Sequence, residues 1–195
     1  MLPEKIIYIG LFISLTGLFF YLKSIIYGST RPNLVSNFIW TLAPFLGTFF
    51  QIKAGAGLSA LVIFMAGFGP LIVMIVSLIR KNAYWKLNNF DLMCGLFSLA
   101  ALLIYIFTQN LGISILFAIA SDALAYIPTI RKVWVSPESE AWFIYVGGII
   151  SNILVLLTIK DWIFTIYAFS ISIMILNSVV VFGILRNRTK LSVSS

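Results

Sequence analysis

The chain has 195 residues, 61% of them hydrophobic and only 10% charged, and its mean hydropathy is +1.07. A soluble domain carries about 25% charged residues, so this composition excludes a surface that faces water over most of its area. The net charge of +7 would suggest nucleic acid in a soluble protein, but in a chain this apolar it reads as Lys and Arg gathered in short cytoplasmic loops.

Histidine is absent and Cys94 is the one cysteine. That removes the commonest general base and metal ligand and any intrachain disulfide. No enzyme, metal site, cofactor or nucleic-acid partner is expected. The expected surroundings are a lipid bilayer and a small-molecule solute.

A helix needs about 20 largely apolar residues to cross the hydrocarbon, and seven segments qualify. The first, 6–26, follows Met1-Leu2-Pro3-Glu4-Lys5 without a basic lead or a small-residue cleavage site, and is read as a retained span. Gly28-Ser29-Thr30-Arg31-Pro32-Asn33 closes it. The second, 34–52, holds Asn37, Trp40 and Pro44, and ends at Lys53-Ala54-Gly55-Ala56. The third, 57–79, contains Gly67-Phe68-Gly69-Pro70, and a polar loop runs from Arg80 to Asn89. The fourth, 90–108, is set off from the fifth, 112–130, only by a break around Gln109-Asn110. The fifth carries Asp122 and Pro128. After Arg131 to Glu140 comes the sixth, 141–159, with Asn152. Lys160-Asp161 precedes the seventh, 162–185, with Asn177.

Charge gives an independent reading of topology. With seven spans, Lys5, Lys53 and Lys160 share the side of the N-terminus. The other side holds Lys23, Arg31, Arg80, Lys81, Lys86, Arg131, Lys132, Arg186, Arg188 and Lys190. Basic residues collect in the cytoplasm, so the expectation is a multi-pass protein of the cell (inner) membrane, N-terminus outside and C-terminus cytoplasmic.

The chain also matches itself weakly. An offset of 105 aligns Tyr21 with Tyr126, Ile25 with Ile130, Pro32 with Pro137, Phe38 with Phe143, Ile39 with Ile144, and Trp40 with Tyr145. It carries spans 1, 2 and 3 onto 5, 6 and 7 and leaves span 4 unmatched. The expected fold is therefore all-α, a single membrane domain over 1–195. A first three-helix repeat (6–79), a linker helix (90–108) and a second repeat (112–185) stand in parallel orientation, an arrangement found in small transporters.

The stretch Tyr126-Ile127-Pro128-Thr129-Ile130-Arg131-Lys132-Val133-Trp134, with Ser136-Pro137-Glu138-Ser139 after it, resembles the PQ-loop motif of the SWEET-like superfamily, whose 3+1+3 plan agrees with the span count. Arg31-Pro32-Asn33 through Trp40 to Ala43-Pro44 is similar to a stretch in small bacterial membrane proteins of unknown function. Two departures stand out: Thr129 occupies the glutamine position, and Lys23 stands where the first repeat would have its proline. The resemblance implies a facilitator of a sugar or similar small polar solute, working by alternating access, with Pro128 as a hinge. It implies a solute-packing aromatic at Trp40, a polar contact at Asn177 in the third helix of its triple, and further assembly of copies. Some relatives only bind a ligand, so a receptor or sorting protein is the alternative.

The residues themselves point to a mid-membrane site. Asp122 at a helix centre costs about 2.5–3.5 kcal/mol on insertion and should face a cavity or a partner. It is either a substrate-binding or proton-coupling carboxylate, or an acid in an interhelical hydrogen bond. Asn152 and Asn177 can join helices or bind solute hydroxyls. Asn37 shares a helix face with Trp40; the indole itself binds solute or fills a helix interface. Pro44, Gly67, Gly69, Pro70 and Pro128 interrupt spans, which is tolerated where protein or a water-filled cavity satisfies the freed backbone; they read as hinges or gates, or as static kinks. Glu138 and Glu140, beside Arg131 and Lys132, read as a solvated charge cluster. A retinal protein is excluded because 162–185 contains no lysine.

Overall fold

A computed structural model describes residues 2–80, 84–108 and 110–193; Lys81 and Gln109, which figure in the charge count and in the break before the fifth span, lie outside them. Among the described residues the regular structure is helical. Seven α-helices occur: α1 (Ile7–Ile26), α2 (Leu34–Lys53), α3 (Ser59–Ile79), α4 (Asn89–Phe107), α5 (Leu111–Val135), α6 (Phe143–Thr158) and α7 (Phe164–Val193), with short 3-10 turns at Glu4–Ile6 and Pro137–Ser139.

Three of the polar breaks act as helix starts. Asn33 accepts from the backbone N–H groups of Val35 and Ser36 at the start of α2, and Asn110 does the same for Gly112 and Ile113 at α5. At α4 the Asn88 side chain accepts from Asp91 N–H while the Asp91 carboxylate accepts from Asn88 N–H. Each satisfies donors that the first helical turn leaves unpaired. Gly28 and Gly55 follow α1 and α2 with φ of 77° and 84°, the left-handed conformation in which a side chain would be strained.

Five helical stretches are long and apolar enough to cross a membrane: Glu4–Ile26, Leu34–Lys53, Ser59–Ile79, Gly112–Val135 and Phe164–Arg186. The apolar stretches of α4 and α6 are shorter, at Asn89–Ile104 and Phe143–Thr158. Helices α5 and α7 run past the ends expected from hydropathy, to Val135 and Val193. A charged residue ends the stretch that lipid can cover, but it does not end a helix, because Arg and Lys are good helix formers.

The order of packing is not the order of the chain. Helix α3 lies between α1 and α2, and α7 between α5 and α6. The two triples meet through α1 against α6 and α2 against α5, while α4 leans on α5 and α2. The α1–α6 crossing is built from small residues. A Cβ on Gly17 would lie 2.9 Å from the Phe143 carbonyl oxygen and one on Gly10 3.3 Å from Ser151 Cα. Ser14 and Ser151 hydroxyls meet across it at 2.7 Å. Close backbone approach of this kind is the usual basis of helix association where no hydrophobic force acts between helices. At α2–α5 the Thr129 hydroxyl donates to Ser36 Oγ.

Large apolar side chains point outward all round. Phe12, Phe19, Leu96, Phe107 and Phe182 are all well exposed, Phe107 to 80%. An apolar surface this extensive is foreign to soluble monomers and fits a bilayer. Polar residues, by contrast, are inside: Asn37, Gln51, Asp122, Asn152 and Asn177 are all buried.

Candidate functional site

Between the two triples lies a cavity of about 100 Å³, room for several waters or one small solute, given that a single water needs about 10–15 Å³ on this measure. All six helices of the triples line it and α4 does not. Helix α1 contributes Ser14, Leu18 and Tyr21; α2 Asn37, Trp40 and Pro44; α3 Met65, Ala66, Gly69 and Pro70 among others; α5 Asp122 and Tyr126; α6 Tyr145, Gly148, Ser151 and Asn152; α7 Ile173 and Asn177.

The five residues singled out as solute contacts, Asp122, Asn177, Asn152, Trp40 and Asn37, thus meet at one cavity although they come from four helices. Of the five helix-interrupting residues, Pro44, Gly69 and Pro70 line it as well. Gly67 does not: its Cβ position lies 2.7 Å from the Phe45 ring and 3.1 Å from the Thr41 carbonyl oxygen, so its small size lets α3 close on α2. Pro128 is buried inside α5 on the stretch beyond Tyr126. Pro44 and Pro70 lack the N–H that would reach the carbonyls of Trp40 and Ala66 one turn back, and both of those residues line the cavity.

Aromatic rings form much of the wall. Trp40 packs on Tyr126 with centroids 4.4 Å apart, and Tyr21 meets Tyr145 edge-on at 6.4 Å. The Tyr126 hydroxyl donates to Asn177 Oδ1 at 2.7 Å. A Cβ on Gly148 would come within 2.5 Å of Asn177 Nδ2, so a glycine there leaves room for the amide. Asn37 Nδ2 donates to the Asn33 carbonyl and Asn152 Nδ2 to the Gly148 carbonyl. Asp122 is 3% exposed, and its Oδ2 has no hydrogen-bond partner among the described residues; the same holds for Trp40 Nε1 and Asn152 Oδ1.

A polar cluster joined to the cavity residue Tyr21 corrects the reading of the α5–α6 loop. Glu138 and Arg131 are exposed as expected, but Lys132 and Glu140 are each only 2% exposed. Lys132 Nζ donates to Glu140 Oε2 and to the Arg31 carbonyl, the latter at 2.8 Å. The hydroxyl of Tyr21, a cavity residue, donates to Glu140 Oε1. Arg31 N–H donates to the Ser139 carbonyl, so the α1–α2 and α5–α6 connections are tied together. Hydropathy could not reveal this, because a charged residue in a loop looks the same whether solvated or buried and paired. The tyrosines were equally silent, each being one aromatic among many in an apolar helix. The only signal was the offset match of Tyr21 with Tyr126 and of Trp40 with Tyr145.

Comparison of the chain with protein-family profiles, curated proteins and solved structures finds no match in any of the three.

Proposed function

We propose that this chain is a seven-span membrane protein of 3+1+3 plan, related to the SWEET-like superfamily, that carries a small polar solute through the cavity between its triples. The observation that carries the reading is the convergence of Asp122, Asn177, Asn152, Trp40 and Asn37, chosen as intramembrane polar or aromatic residues, on one cavity shared by both triples. Polar side chains cost free energy in hydrocarbon and are retained at solute and ion pathways.

The reciprocal packing supports the plan. With α1, α2 and α3 equivalent to α5, α6 and α7, the α1–α6 contact becomes the α5–α2 contact, and α3 and α7 are each the middle helix. The starts of α3 and α7, Ser59 and Phe164, differ by the same 105 as Tyr21 and Tyr126. Such a pseudo-two-fold puts the solute on the axis, where rocking of one triple against the other would open either side in turn. The chain then sits in the cell membrane with its N-terminus outside and its basic loops and C-terminus in the cytoplasm. A receptor on the same scaffold would use the same cavity without passage.

The test is solute flux into vesicles reconstituted with the purified protein, run with a panel of labelled sugars, amino acids and amines. Passage of one class, reduced by Gly148→Leu, which fills the cavity, supports a carrier. Binding without passage of any class sinks the carrier and leaves the receptor.

A further inference from the structure

We infer that the solute is a small organic cation, an ammonium-bearing molecule held by Asp122 within a box of aromatic rings. This rests on the cavity being a solute site, as proposed above, and assigns its chemical class.

The first observation is charge. Asp122 is the one carboxyl group among the lining residues, and no Lys or Arg lines the cavity. The nearby buried cation, Lys132, is already paired with Glu140. An anionic solute would meet an acid with no counter-charge. A cationic one would supply the partner that a buried carboxylate otherwise lacks.

The second is hydrogen-bond polarity. One amide N–H of Asn37 and one of Asn152 donate to backbone carbonyls, and only nitrogen can donate there, so the orientation of each amide is fixed. Asp122 Oδ2 and Asn152 Oδ1 are left as buried acceptors, and Trp40 Nε1–H as a buried donor, with no hydrogen-bond partner among the described residues. The unpartnered Asp122 Oδ2 and Asn152 Oδ1 suit an ammonium group, which carries several N–H donors and no acceptor.

The third is the wall. Trp40, Tyr126, Tyr21 and Tyr145 line the same cavity as the Asp122 carboxylate, packed as two ring pairs. Aromatic faces attract cations, most strongly when desolvated. A bare alkali ion would gain little from such a wall, and no cluster of three or more acidic, His or Cys residues that could hold a metal occurs among the described residues.

The experiment is ligand-dependent thermal unfolding of the detergent-purified protein with n-butylammonium, its neutral counterpart n-butanol, and glucose, at constant ionic strength set with sodium chloride. The inference expects n-butylammonium to bind at least about tenfold more tightly than n-butanol. It expects Asp122→Asn to remove that preference while leaving n-butanol unaffected. Equal binding of amine and alcohol, no effect of the amine beyond that of sodium, or a preference that survives in Asp122→Asn overturns it. Should Asp122→Asn not fold, Trp40→Leu replaces it, and loss of the amine preference is again the expected result. Stabilisation by glucose in both wild type and Asp122→Asn removes the cation and keeps the solute site. Amine binding without flux in the vesicle assay removes the carrier and keeps the cation.

Discussion

Trp40 and Tyr126 pack with ring centroids 4.4 Å apart, and the offset of 105 carries this pair onto Tyr145 and Tyr21, which meet at 6.4 Å. Each pair joins the first helix of one triple to the second helix of the other. Their hydroxyls, however, do different work: Tyr126 holds Asn177 in the cavity, whereas Tyr21 holds Glu140. Double-mutant cycles should give a coupling of about 0.5–1.5 kcal/mol for Trp40 with Tyr126, and less for Tyr21 with Tyr145 because those rings are further apart. Unfolding equilibria of the four single and two double variants in detergent would measure both. Zero coupling for Trp40 and Tyr126 would mean that the rings are merely neighbours.

Breaking the buried ion pair should be severe. Glu140→Gln or Lys132→Ala leaves a buried charge unpaired, for which the expected loss is about 3–5 kcal/mol. The double variant Lys132→Met with Glu140→Leu removes both charges and should recover most of that loss. Tyr21→Phe withdraws one hydrogen bond to a charged group and should cost about 1.5–3 kcal/mol. A double variant no more stable than the worse single would show that the site depends on the pair itself and not on charge balance.

Two glycines separate packing from backbone conformation. Gly17→Ala places a methyl 2.9 Å from a backbone oxygen of α6, and the helices must part, at a cost of about 1–3 kcal/mol. Gly28→Ala meets nothing within 4 Å but must hold φ near +77°, a strain of about 1–2 kcal/mol. Melting temperatures of both purified variants test this. Gly17→Ala should also loosen the contact between the triples, and Gly28→Ala should not, so only the former should increase labelling of cysteines placed at the α1–α6 crossing.

How much of this was legible in the sequence follows from which interactions are local. Helix positions were, because apolar runs and the polar breaks that hold Asn33, Asn88 and Asn110 are contiguous in the chain. Asp122 stood out because a carboxyl in an apolar run is anomalous on its own terms. The partners of Glu140 were not legible: Tyr21 lies on the first helix and Lys132 on the fifth, and nothing in either segment marks them as neighbours. The packing of Gly67 was not legible for the same reason. The run Gly67-Phe68-Gly69-Pro70 shows two glycines and a proline together, but not that the Gly67 Cβ position lies against the Phe45 ring on another helix.

Helix α6 decides the topology and is the shortest of the seven. Its 16 residues span about 24 Å at 1.5 Å each, against a hydrocarbon core of about 30 Å. In the proposed seven-span plan the apolar flanking residues Ala141, Trp142 and Ile159, with Lys160 extending toward the headgroups, would make up the difference. Arg131 and Lys160, both exposed, lie on opposite sides of this helix in the chain. With Cys94→Ala as background, Arg131→Cys and Lys160→Cys give single thiols for a membrane-impermeant reagent applied to intact cells. The expected result is labelling of Lys160→Cys from outside and of Arg131→Cys only after permeabilisation. The reverse pattern would invert the protein and defeat the reading of its basic loops. Labelling of both from the same side would mean that α6 does not cross, and a two-triple plan with parallel halves could not then stand.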